Sequence, residues 1–247
     1  MFKKLFQKPA DLPVPPTPPY QAPSGAAHDA AGFDAAGFDA LSAAREGGLE
    51  VFACLTARLK QDGRVHIESM LCALGAVAGY ACQAQLRAQA RAAGLAEASA
   101  FHVVTAGDGR RYFFGELLNG LLAGPRMSIW TVCSGGLGIA GKAGLPDAAD
   151  IFQHVTASSG SASFGVPRVP AAHQPAAMPV DYLKALWPLV APIAARHSPD
   201  PAHWNLLFCA ALKRTLQVAE GTIARDIACR LVMESAVAMS KVDLDAA

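Results

Sequence analysis

Arg64, His66 and Glu68 form an ionisable cluster at the head of the longest apolar stretch in this chain. If they begin a helix, positions 64 and 68 share a face, so Arg64 and Glu68 can pair while His66 projects elsewhere. Two chemistries suit these residue types. Apolar surroundings raise a carboxyl pKa, which would make Glu68 a base, Arg64 an anion anchor, and His66 and His102 further polar lining. The simpler reading is structural. An acid near a helix N-terminus meets the positive end of the dipole, and Arg64 neutralises it. The spacing favours this ion pair.

A second string is Gly136–Ala143, GLGIAGKA. It satisfies GxxxxGK through Gly136, Gly141 and Lys142, where backbone N–H groups would wrap phosphates and the lysine would reach their outer oxygens. It also spells GxGxxG through Gly136, Gly138 and Gly141. The residue after the lysine should be Ser or Thr, to reach Mg²⁺, but Ala143 stands there. Gly144 and Pro146 occupy the place of the phosphate-binding helix. A dinucleotide fold would also need an acid about 20 residues on, and no convincing one follows. The string therefore predicts close packing of small residues.

Glu234-Ser235 and then Ser240-Lys241 place polar groups beside apolar neighbours near the end of the chain. Glu234 is expected to meet an arginine of the core helix, Arg64. The seven histidines are dispersed, without HExxH or a zinc-like Cys/His spacing, so no metal is expected. Neither GxSxG nor SxxK occurs, and the serines of Ser158–Phe164 read as turn formers. No cofactor is expected.

The elements that must position these residues are mostly helical. Arg64 to Gly94 reads as one long helix, buried in its first half and emerging into solvent in its second. Its stripe of Cys72, Gly75, Ala76, Gly79 and Gln83 lets another helix approach closely. Leu49, Phe52, Leu55 and Leu59 recur at helical spacing before a turn at Gln61-Asp62-Gly63. Phe101–Phe114 reads as a β-hairpin around Gly107-Asp108-Gly109, since Asp-Gly accepts positive φ. A short helix over Glu116–Leu122 follows, ended by Gly124-Pro125.

Asp147 caps a further helix. Ala157 to Pro179, rich in Ser, Gly, Pro and Ala, is a long loop of the kind that is functional or disordered. Val180–Ala195 is helical with a kink or break expected near Trp187, because Pro188 and Pro192 interrupt it. Asp200-Pro201 starts the next helix, Gly221-Thr222 ends it, and a last helix begins at Ile223.

Residues 1–39 read as a disordered, proline-rich N-terminal arm. It carries a tandem AAGFD whose Phe33 and Phe38 can serve as paired anchors. Residues 40–247 read as a helical domain. The expected fold class is mainly α, a single domain around the long helix with the hairpin on its flank. The alternative is α+β, with Ser128–Cys133 as a third strand.

Composition narrows the function. The chain has 247 residues, a net charge of +1 and 17% charged residues, so it lacks the basic footprint that nucleic acid requires. No secretory pattern opens it, and the clean apolar run Met70–Cys82 is shorter than the ~20 residues of a membrane span. Cys54, Cys72, Cys82, Cys133, Cys209 and Cys229 are scattered singly, as reduced buried thiols of a cytoplasmic protein would be. The leading expectation is a soluble, non-enzymatic protein that binds a protein partner or itself through the arm. The rival is a small-molecule binder or hydrolase-type enzyme with a pocket near Glu68.

Overall fold

The computed structural model describes residues 35–124, 127–135 and 144–244. The proline-rich segment, Phe33 and the whole Gly136–Ala143 string lie outside the described residues, as does the side chain of Phe38. The fold is mainly α, as the periodicity predicts. Its eight described helices are α1 (Ala35–Leu59), α2 (Ile67–Ala92), α3 (Glu116–Ala123), α4 (Ile129–Cys133), α5 (Ala148–Ser158), α6 (Pro179–His197), α7 (Trp204–Ala219) and α8 (Arg225–Met239).

Two small antiparallel ribbons complete the described elements. The first pairs β1 (Lys60–Gln61) with β2 (Arg64–Val65) across a tight turn, where Asp62 and Gly63 both take positive φ. The second pairs β3 (His102–Thr105) with β4 (Arg111–Phe114), with Val103 opposite Phe113. This is the hairpin expected from Asp108-Gly109, and Gly109 supplies its positive φ.

Helix α2 is the core rod. It packs against α6, α7 and α8, and its residues from Glu68 to Gln83 are buried without interruption. Burial extends further than the sequence pattern predicts, since Gln85, Leu86 and Ala90 are buried too. By length and composition this 26-residue helix could cross a membrane, but 89% of its most apolar window is covered by the protein itself.

The small-residue stripe explains how close the packing is. A Cβ on Gly75 would lie 2.5 Å from the Val232 carbonyl oxygen. A Cβ on Gly79 would collide with the carbonyl oxygen of Ala236 and lie 2.6 Å from its Cα. Backbone therefore meets backbone where α2 crosses α8. Gly48 does the same for α1 against α7, where a Cβ would lie 2.8 Å from the Ala211 amide nitrogen.

Two local expectations are corrected. Ser128–Cys133 is not a third strand. Ser128 caps α4 by accepting a hydrogen bond from the Thr131 N–H at 3.2 Å, and Thr131 Oγ1 accepts the Ser128 N–H at 2.9 Å, a capping box. The hairpin instead gains a bridge from the segment after α8, between Tyr112 and Val242. Helix α6 also runs unbroken through Pro188 and Pro192. Both prolines are exposed and four residues apart, so the carbonyls they deprive of partners, at Lys184 and Pro188, lie on the exposed face within reach of water.

Candidate functional site

The Glu68 cluster is closed. Helix α2 begins only at Ile67, with His66 as its N-cap, so Arg64 is an exposed residue of β2 and does not pair with Glu68. Instead the Glu68 carboxylate receives His66 Nε2 at 3.2 Å and His173 Nδ1 at 2.9 Å, and only 11% of its side chain is exposed. His66 Nδ1 lies 2.8 Å from Ser69 Oγ, and that hydroxyl also accepts the Ala176 N–H at 3.0 Å.

Burial alone would push the Glu68 carboxyl up. The hydrogen bond from His173, its own backbone N–H and the charges of His66 and His173 outweigh that, so it sits below the ordinary carboxylate value. A general base with a raised pKa is the opposite of what is found. His102 is not part of the cluster: it sits on exposed β3, opposite Phe114.

Glu234 is likewise a structural anchor, but its partner is not Arg64. Its buried carboxylate accepts the Arg168 backbone N–H at 2.7 Å and Arg168 Nε at 2.8 Å, and it pairs with Arg230 at 3.1 Å. Arg168 also reaches Asp150 at 2.8 Å. The two helix carboxylates thus share one task. Glu68 of α2 and Glu234 of α8 hold the long 159–178 segment through His173 and Arg168.

That segment contains one short 3₁₀ turn, Ala171–His173, and otherwise no regular hydrogen-bond ladder. Its order depends on side-chain anchors such as these. His173→Ala is expected to cost roughly 1 kcal/mol, the worth of one partly exposed hydrogen bond, and to speed proteolytic cleavage within residues 159–178. An unchanged cleavage rate would remove His173 from the fastening.

A further buried ionisable residue is Lys241, in the turn after α8. Three backbone hydrogen bonds fix its position. Gln83, wholly buried in α2, donates from Nε2 to the Ser240 carbonyl at 2.8 Å and to the Val242 carbonyl at 3.0 Å. The Lys241 carbonyl accepts the Phe113 N–H of β4 at 2.9 Å. Two residues on, buried Asp243 pairs with Arg111.

The Lys241 side chain is therefore held in the fold, and the residue is 1% exposed. Its Nζ sits 4.5 Å from the Phe114 ring centroid and 6.0 Å from that of Phe152. Among the described residues no carboxylate forms an ion pair with it. Burial lowers its pKa from 10.5 to about 8.

Lys241 lines a recess of about 400 Å³ that opens to solvent, within the size range of small-molecule sites. Phe114 of β4, Asn119 of α3, and Phe152, Gln153, Thr156 and Ala157 of α5 form the rest of its wall. The Asn119 carboxamide oxygen is buried without a hydrogen-bond partner. Lys241, Asn119 and two aromatic side chains thus line one recess. A second cavity, beside Tyr112 and Phe164, measures only about 70 Å³, too small for an organic ligand.

The sequence marks Lys241 only as a polar interruption of an apolar helix end. Asn119 and Phe152 carry no signal of a shared site, because α3, α5 and the turn after α8 lie far apart in the chain. Two of the cysteines are poor nucleophiles: burial pushes the Cys72 and Cys209 thiols up to about 12. Among the described residues no group of three or more His, Cys, Asp or Glu side chains could hold a metal ion. Compared with models of protein families, with curated proteins and with solved structures, the chain matches none of them.

Proposed function

We propose that this chain is a binding protein whose ligand is a small organic anion held in the Lys241 recess. The observation that carries the reading is a buried ammonium without a carboxylate partner among the described residues. A buried cation costs several kcal/mol unless a counter-charge accompanies it. The fold supplies partners elsewhere: Glu68 has two histidines, Glu234 has Arg168 and Arg230, and Asp243 has Arg111. The Phe114 ring face offsets the Lys241 charge by about 0.5–2 kcal/mol, which leaves room for an anion from outside. The rings of Phe114 and Phe152 suit an apolar ligand body, and the Asn119 oxygen suits a ligand N–H or O–H.

This reading moves the ligand site from Glu68 to Lys241. Partner capture by the N-terminal segment would rest on Phe33 and Phe38, and Phe33 and the Phe38 side chain lie outside the described residues. Six thiols without disulfide partners support a reducing, cytoplasmic setting.

Benzoate at millimolar concentration is a suitable probe. Saturation-transfer NMR is expected to show contact with the native protein and a loss of most of that signal in Lys241→Met, with far-ultraviolet circular dichroism unchanged. Equal transfer in both proteins would overturn the reading.

A further inference from the structure

We infer that Lys241 captures carbonyl compounds, forming a reversible imine with the keto or aldehyde group of a small 2-oxo acid in the recess. The inference rests on the anion-binding reading, since both use the same opening, but it adds a covalent step that can fail by itself.

The geometry has what such a step needs. The amine is fixed through its backbone by Gln83 and Phe113. It meets a cavity large enough for a small keto acid. The ring centroids of Phe114 and Phe152 lie 4.5 and 6.0 Å from the nitrogen and give it apolar neighbours. No carboxylate among the described residues holds it as ammonium, and burial favours the neutral nucleophile.

The step balances without an oxidant or reductant. The neutral Nζ lone pair attacks the carbonyl carbon and forms the C–N bond. The C=O π pair moves to oxygen, which takes a proton, giving a carbinolamine. The nitrogen lone pair then forms C=N, and the hydroxyl leaves as water after taking a second proton from solvent, the first having come from the amine. One of the two amine protons is lost and the other stays on nitrogen, so the product is a cationic, protonated imine. In a 2-oxo acid the carboxylate is bonded to the imine carbon, so the ligand carries its own counter-charge to the buried nitrogen.

The test uses the full chain with pyruvate and sodium cyanoborohydride near pH 8. The borohydride reduces the imine to a stable secondary amine, and peptide mapping by mass spectrometry locates it. Lys241 is expected to be modified roughly tenfold faster than the exposed Lys60, Lys184 and Lys213, because a desolvated amine has the larger neutral fraction. Lys241→Met should lose that rapid adduct and keep its circular dichroism. Modification of Lys241 no faster than that of the exposed lysines overturns the imine. If benzoate contact still depends on Lys241 in that case, the anion site stands and only the covalent step falls. If that contact is also absent, both readings fall.

Discussion

Gly79→Ala is expected to destabilise the fold by about 2–3 kcal/mol, although alanine is the better helix former by roughly 1 kcal/mol. The added methyl has nowhere to go. It would collide with the Ala236 carbonyl oxygen and lie 2.6 Å from the Ala236 Cα, and both atoms belong to the backbone of α8. A flexible side chain could rotate aside, but a packed helix must translate as a whole. The same crossing is seated a turn earlier, where Gly75 faces Val232, so displacement at one glycine disturbs the other.

Gly120→Ala in α3 is the control. A Cβ there meets nothing within 4 Å, so the helix-propensity gain of up to about 1 kcal/mol should appear as added stability. Urea denaturation of both variants separates the effects. A Gly79→Ala protein as stable as the parent would mean that the two helices do not cross in backbone contact.

The Lys241 ammonium makes a second, opposite prediction: removing it should stabilise the protein. The pKa of this group falls from 10.5 to about 8 on folding. Below pH 8 both the folded and the unfolded chain carry the proton, so the folded state bears the full cost of the buried charge. Between pH 8 and 10.5 the unfolded chain keeps a proton that the folded chain has released, and stability rises with pH. Above 10.5 both forms are neutral and the cost is gone.

At about 1.36 kcal/mol per unit, the shift corresponds to about 3 kcal/mol. Lys241→Met should therefore exceed the parent in stability at pH 7, and its advantage should shrink by about 3 kcal/mol as the pH rises through 8 to 10.5. Among the described residues no other side chain lining the recess titrates, so the difference between the two proteins reports on Lys241. An advantage that stays constant with pH would show that the amine is not buried as described. A stabilising loss of a side chain is the pattern expected where a group is kept for binding at the expense of stability.

How far the sequence foretells this molecule varies with the distance over which each feature is decided. Asp147 and Asp200 act as N-caps, accepting from the Ala149 and Ala202 N–H groups two residues on, because a cap is made within a few residues. Asp108-Gly109 makes the β3–β4 turn for the same reason. The stripe of Gly75 and Gly79 announces a close helix crossing, although not that α8 is the partner. Arg64 shows where local reasoning fails. A helix start three residues later, at Ile67 and not Arg64, turns an i,i+4 neighbour into an exposed strand residue.

Glu68 and Glu234 are visible in the sequence as acids in apolar surroundings. Their partners, His173 and Arg168, are not, because they come from a loop with no periodicity. Lys241 is the extreme case. Its burial follows from Gln83, about 160 residues earlier, and from the hairpin strand that accepts the segment after α8.

Periodicity, caps and turn residues by themselves determined an α-rich fold around α2, with one hairpin on its flank. Those signals act between residues close in the chain, where the backbone geometry is nearly fixed. Which charges were neutralised and which was left unpaired was settled only by tertiary packing. Ion pairing depends on contacts of a few ångströms between segments far apart in sequence, and no local pattern encodes them.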